Sequence, residues 1–213
     1  VVGIRNDDRR RFMEIIQRNV TRMVQLVNSM IFVSAVRGGR IQPKLVYADL
    51  RQLVQQIVRE LGPAASRSQQ TFQVEIEPKL KPIQADSIHV STMLQELINN
   101  SLKYNQPGGI IRIQVSLEMG EQGEQEFVVV RVSDNGIGIP PEEQLHIFDD
   151  FYRVDKNDTN LQMGGMGVGL AIVRALVEAY NGRIWLDSTI GRGSTFTFIL
   201  PARQVDHSFA AVP

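Results

Sequence analysis

The chain has 213 residues, 43% hydrophobic and 22% charged, which is enough for a real core and one appended element. Its 23 Lys and Arg balance 23 Asp and Glu, so no global field draws it to nucleic acid or an anionic membrane, and any bound anion must be held locally. The absence of Cys excludes disulfides, thiolate metal sites and a Cys nucleophile, and the three histidines, His89, His146 and His207, are too scattered for chemistry that needs a histidine cluster.

Taken in chain order, Phe12, Ile16, Val20, Met23, Val27 and Met30 recur in steps of four and three, the seam of a helix that Gly38 and Gly39 break. Such a helix can pack on its own domain; because it precedes a complete-looking domain, the sharper expectation is a bundle helix that pairs with a second copy. Leu50, Leu53, Val54, Ile57, Val58 and Leu61 predict a second helix stopped by Gly62 and Pro63. Residues 71–77 alternate as a strand, Pro78 and Pro82 punctuate the segment after it, and the helical period returns over 87–104. Segments 110–117 and 127–132 predict a hairpin, 140–148 a short helix, 169–180 an apolar helix, and 183–187 with 194–200 the last strands, turning at Gly191-Arg192-Gly193. This order predicts a two-layer α/β sandwich. No apolar run approaches the roughly 18 residues of a membrane span, and the N-terminal charges come after the apolar residues, unlike a secretory signal. The expectation is a segment without membrane contact, in a cytoplasmic setting, whatever a longer parent carries.

Three clusters carry chemistry. On the 87–104 helix, Glu96, Asn100 and Lys103 stand four and three apart and share a face, supplying a carboxylate, an amide and an ammonium of the kind that serves a metal-bound nucleotide. At the end of an apolar strand comes Asp134-Asn135-Gly136-Ile137-Gly138-Ile139-Pro140, where glycines let backbone approach a flat ligand and a carboxylate can accept a hydrogen bond from an exocyclic amine such as that of adenine. Gly164-Gly165-Met166-Gly167-Val168-Gly169-Leu170 then runs straight into a helix, and closely spaced glycines at a helix N-terminus present free N–H groups to an anion, with phosphate the natural guest. The spacing is neither the dinucleotide fingerprint nor a Walker loop.

In this order the clusters resemble the ATP-binding domain shared by sensor histidine kinases, type II topoisomerases, the ninety-kilodalton heat-shock chaperones and mismatch-repair ATPases. Ile147-Phe148-Asp149-Asp150-Phe151-Tyr152-Arg153-Val154 looks like the F box of the histidine kinases, the segment from Glu96 to Tyr104 like their N box, and the turn at residues 191–196 like their closing glycine turn. The resemblance implies a Bergerat-type fold, a mixed sheet under three main helices, preceded by a long dimerisation helix. It divides the chain into the second helix of a dimerisation and phosphotransfer hairpin over 1–42, a catalytic ATP-binding domain over 43–203 and a tail over 204–213. It further implies that Asn100, with Glu96, holds Mg²⁺ and that Lys103 contacts phosphate. Asp134 would hold the adenine amino group with Thr195 nearby, Gly136, Gly138 and Ile139 would shape the adenine pocket, and Tyr104 would flank the nucleotide. Gly165, Gly167 and Gly169, with Val168 and Leu170, would close over the phosphates. Phe148 and Phe151 would anchor a loosely ordered lid over 141–166, from which Arg153 and Lys156 reach phosphate. ATP and Mg²⁺ are the implied cofactors. The implied partners are a second copy through the first helix and the receiver domain of a response regulator.

Two features depart from the kinase pattern. Many histidine kinases have Asn where this chain has Glu96, which the superfamily's ATPases use as a general base for water, so ATP hydrolysis or an ATP-driven clamp stands as the alternative, with a non-catalytic dimerisation module behind it. None of the three histidines has the surroundings of a phosphoacceptor. Each reads as a surface or packing residue, and the acceptor helix is expected outside this sequence.

Overall fold

The computed structural model describes residues 6–40, 44–120, 123, 125–154 and 167–202. In chain order they form α1 (Asn6–Arg37), β1 (Val46–Ala48), α2 (Leu50–Arg67), β2 (Thr71–Ile76), β3 (Ile83–Ala85), α3 (Ser87–Tyr104), β4 (Ile110–Met119), β5 (Glu126–Asp134), α4 (Pro141–Gln144), α5 (Gly169–Ala179), β6 (Arg183–Thr189) and β7 (Gly193–Pro201).

Five strands make one sheet in the order β2-β4-β5-β7-β6, with β2 parallel to β4 and every other pair antiparallel. Period-two alternation gives the sheet two different faces. Ile111, Ile113 and Val115 of β4, Val128, Val130 and Val132 of β5, and Phe196, Phe198 and Leu200 of β7 are buried against α2, α3 and α5. The intervening Arg112, Gln114, Ser116 and Arg131 carry hydrogen bonds on the face away from the helices. This is the expected two-layer α/β sandwich with a mixed sheet. Asp49 and Asp86 open α2 and α3 as N-caps, each accepting from the amide two residues on, which places the start of each helix.

The last turn of α1 belongs to the same core. Val33 and Val36 are buried, and Phe32 meets the edge of His89, which in turn meets the Tyr180 ring edge-on. Arg37 closes this contact with an ion pair to Asp150 at 2.8 Å. Upstream, Phe12, Ile16, Val20, Met23, Val27 and Met30 are all more than half exposed. His89 is therefore a packing residue, its Nδ1 3.1 Å from the Tyr180 hydroxyl, while His146 is an exposed residue paired with Asp149. His207 lies outside the described residues.

Three local expectations change. The second helix does not stop at Gly62 and Pro63 but runs on to Arg67, because Ala65 is buried in the turn beyond them and its packing outweighs the one hydrogen bond that proline forfeits. The short β1 and β3, absent from the sequence pattern, pair antiparallel with each other in a separate two-stranded sheet. The helix expected over 140–148 is a single turn, α4, with successive turns after it.

Candidate functional site

The helix α3 buries Val90, Met93, Leu94, Leu97, Ile98 and Ser101 against the sheet, which leaves Glu96, Asn100 and Lys103 half-buried along the border of that face. Burial pushes the Glu96 carboxyl above its usual range. The same carboxyl group lies where a side chain on Gly169 would have to go, so the carboxylate sits against the first residue of α5. Among the described residues no side chain caps α5, and its first-turn amides have no side-chain partner there. Lys103 turns its Nζ to the Tyr104 hydroxyl at 2.7 Å, 4.4 Å above the centre of that ring.

Asp134 ends β5 on the helix-facing side. Its Oδ1 accepts from the Gly136 N–H at 3.0 Å and the Ser194 N–H at 3.3 Å, and its Oδ2 accepts from the Ser101 hydroxyl at 3.2 Å. Burial raises its pKa, and the three hydrogen bonds pull in the opposite direction. The carboxylate is thus held at one orientation by donors from a helix, a loop and a strand.

The loop after Asp134 is clamped from two sides. The Ile137 N–H donates to the Tyr104 carbonyl at the end of α3, and a Cβ on Gly136 would strike that carbonyl. On the other side the Ile137 carbonyl accepts from Gly191, the Ile139 N–H donates to the Ser188 hydroxyl, and Gly138, at φ +71°, packs on the Thr189 carbonyl. Only glycine combines that backbone region with that approach. Gln144 of α4 donates to the Ile139 carbonyl and fastens the far end.

Of the aromatic residues between the glycine clusters, Phe148 packs edge-on against Phe196, 6.3 Å between ring centres. Phe151 takes φ +64°, an uncommon region for a bulky side chain, and its backbone and that of Tyr152 lie where Gly167, itself at φ +70°, has no Cβ. Tyr152 donates to Glu143 and so links this turn to α4. Arg153 and Leu170 are half-buried and Val168 is buried. Gly165 and Lys156 lie outside the described residues.

Thr195 is separated from Asp134 by the pleat. Its hydroxyl donates to Ser133 at 3.0 Å, and the two are cross-strand partners on the outer face, whereas Asp134 points to the helices. The residue of β7 that meets Asp134 is Ser194, one position earlier. Ser194 and Ser101 are the contributors that sequence reasoning did not name. For Ser101 a signal existed, since it comes directly after Asn100 on the buried side of α3; for Ser194 the alternation of β7 carried it.

Residues 85–204 match the family model described as histidine kinase-, DNA gyrase B-, and HSP90-like ATPase. Among curated proteins the chain is similar to the sensor histidine kinase WalK of Bacillus subtilis, 34% identical over 91% of this chain and 31% of the relative. It is also similar to the adaptive-response sensory kinase SasA of a Synechococcus strain, 30% identical over 92% of this chain and 50% of the relative. The chain thus spans 31% to 50% of the length of these relatives. Among solved structures it shares its fold with full-length ShkA in complex with AMPPNP (TM-score 0.77, 22% identity, 96% of this chain and 41% of that one). It shares it likewise with the catalytic domain of the histidine kinase ThkA (TM-score 0.63, 22% identity, 75% of this chain and 97% of that one). Because the matched region covers more than half of the sequence and contains Asp134 with the loops that clamp it, the chain belongs to the histidine kinase-, DNA gyrase B- and HSP90-like ATPase family.

Proposed function

We propose that the chain binds Mg·ATP between α3, the 134–139 loop and the N-terminus of α5, and that it passes the γ-phosphoryl group to a histidine on an acceptor helix outside this sequence, for relay to a response-regulator receiver domain. The observation that carries the reading is Asp134, a half-buried carboxylate with three fixed donors at the mouth of a glycine-shaped loop. A carboxylate so held accepts one further hydrogen bond in a defined direction, which suits the exocyclic amine of adenine. Gly136, Gly138 and Ile139 form the wall beside it, and Tyr104 stands at the rim.

The phosphates go to the opposite end, where the uncapped amides of α5, preceded by Gly167 and Val168, offer N–H donors with the positive end of the helix dipole. Lys103, whose Nζ rests on the Tyr104 hydroxyl, and Arg153, together with Gly165, are proposed to reach the same groups. Among the described residues no group of three or more His, Cys, Asp or Glu is placed to cage a metal. One carboxylate and one amide, Glu96 and Asn100, fit an ion that takes few protein oxygens and completes its shell with phosphate and water, as Mg²⁺ does. Bound there, the ion would neutralise charge on the phosphates.

Phosphoryl transfer passes through a loose transition state and asks the protein mainly for positioning and charge stabilisation. Glu96, with its raised pKa, stands beside the phosphate end and orients the attacking group or accepts its proton. The exposed apolar row of α1, from Phe12 to Met30, pairs with a second copy. Among the described residues His89 is buried and His146 is engaged with Asp149, so neither is offered as the acceptor.

Titration with a fluorescent ATP analogue, with and without Mg²⁺, tests the binding step; absence of binding removes the proposal. Labelled ATP incubated with the chain and an acceptor-helix fragment then separates the chemistries. Label on the fragment's histidine is expected, and release of free phosphate alone would make the chain a hydrolase.

A further inference from the structure

The outer edge of the sheet carries a feature unconnected with the nucleotide reading. In the parallel pair β2 with β4, the Thr71 N–H donates to the Gly109 carbonyl and the Glu77 N–H to the Val115 carbonyl. Odd-numbered residues of β2 therefore turn their backbone groups to β4, and Phe72, Val74 and Ile76 turn theirs outward. β2 ends the sheet, and among the described residues none of those outward groups has a hydrogen-bond partner.

The helix α2 runs beside this edge and leaves a groove of about 480 Å³, lined by Arg51, Gln55, Val58, Arg59, Val74 and Ile76. Val74 is 40% exposed at its floor. The lining contains two guanidinium groups and no carboxylate. Arg51 donates to the Glu77 carbonyl, a neutral acceptor that leaves its charge uncompensated, and Arg59 forms no ion pair among the described residues. The nearby carboxylates do not line the groove. Glu75 accepts from Gln114 on the other face, Glu77 from the Leu117 N–H, Glu60 from Gln56, and Asp49 caps α2.

An unpaired strand edge beside a helix, with an apolar floor and a charged rim, has the features of a site where an extended peptide adds a strand, the backbone supplying affinity and alternate side chains supplying selectivity. We propose that the β2 edge and the α2 groove bind an extended acidic segment of a partner protein, which pairs with the backbone of Val74 and its neighbours, sets apolar side chains on Val58, Val74 and Ile76, and places carboxylates beside Arg51 and Arg59. A second copy of this chain fits less well. Pairing β2 with β2 about a twofold axis brings the same two arginines of each copy to one groove without an acid to meet them.

The test selects a displayed library of random peptides on the immobilised chain and measures synthetic versions of the enriched sequences by titration and by amide shifts of the isotope-labelled chain. Enriched peptides with alternating apolar residues and an excess of Asp and Glu are expected, moving the amides of Phe72, Val74 and Ile76. Val74→Pro removes an N–H outside the β2 and β4 ladder, which an edge strand tolerates, and should abolish binding. Arg59→Glu lies on the helix surface and should weaken it by about tenfold or more. The proposal is overturned if no peptide is enriched, if the enriched peptides are neutral or basic, or if they bind both variants as they bind the parent. Concentration-dependent self-association that moves the same amides would assign the edge to a second copy and overturn it equally.

Discussion

The Ser101 hydroxyl donates to Oδ2 of Asp134 at 3.2 Å, joining a buried position of α3 to the end of β5 across 33 residues of sequence. That bond leaves Oδ1 to two backbone amides and sets the plane of the carboxylate. Loss of one such bond is worth about 0.5–1.5 kcal/mol, so Ser101→Ala should weaken binding of an ATP analogue by about two- to tenfold at neutral pH. Burial raises the Asp134 pKa and the Ser101 bond is one of three influences lowering it, so the variant's carboxyl should protonate at higher pH than the parent's. The fall in affinity on the acid side should move upward in pH with it. Titrations across pH check both statements, and an unmoved acid limb would remove Ser101 from the site.

Gly191 and Gly193 share one turn but have different neighbours. Both have positive φ, yet a Cβ at Gly191 meets nothing within 4 Å, whereas one at Gly193 collides with the Asp134 carbonyl. Gly191→Ala should cost only the left-handed backbone penalty, about 1–2 kcal/mol, and leave nucleotide binding in place. Gly193→Ala should cost about 3–5 kcal/mol and abolish binding, since it displaces the backbone that carries Asp134. Thermal melts read the difference at about 2–4 °C per kcal/mol.

Glu96 links stability and activity with opposite signs. Its folded pKa is raised by burial, so between the unfolded and folded values the folded state holds more protons. Its contribution to stability is present at low pH and is lost as pH rises through the folded value. Glu96→Gln removes the buried charge and should melt higher than the parent at neutral pH, with the gap closing as pH falls into the carboxylate range. Phosphoryl transfer should drop in the same variant. A neutral-pH melting temperature at or below the parent's would mean that the dipole of α5 outweighs burial at this carboxylate.

Tyr180 is fully buried under α1, accepting from the Asp86 N–H at 2.9 Å and lying 3.1 Å from Nδ1 of His89. Tyr180→Phe keeps the ring and strands those partners, a loss of about 1–3 kcal/mol. Burial, with the charge of Asp86 adding to it and the Asp86 backbone bond opposing it, pushes the phenol up to about 12 from 10.0. The folded state therefore holds the proton longer than the unfolded state, and the parent should lose stability as pH climbs from 10 toward 12. The phenylalanine variant should lack that component, which denaturant melts at alkaline pH will show.

Most of the fold could be read directly because it rests on local periodicity. The alternation of β4 and β5, the apolar face of α3 and the glycine-bounded start of α5 all stand where their spacing puts them. The row Glu96, Asn100 and Lys103 needed only the pitch of a helix, and the loop after Asp134 only the conformational freedom of its glycines. The three-residue strands β1 and β3 escaped notice because so short a run has no period, and their pairing forms only when the chain folds back over 35 residues.

What the sequence by itself determined was the set of groups: an acid at a strand end, an amide and a cation on one helix face, and glycines at two loops. The tertiary structure decided which groups meet. It put the Ser194 amide on Asp134 and the Thr195 hydroxyl on Ser133, because successive residues of a strand alternate in backbone direction as well as in side-chain face, and it brought Ser101 to the same carboxylate. It carried α2 through a proline because Ala65 had a core to enter, and it buried His89 between Phe32 and Tyr180. Each of these outcomes depends on packing between segments far apart in the chain, which local pattern does not encode.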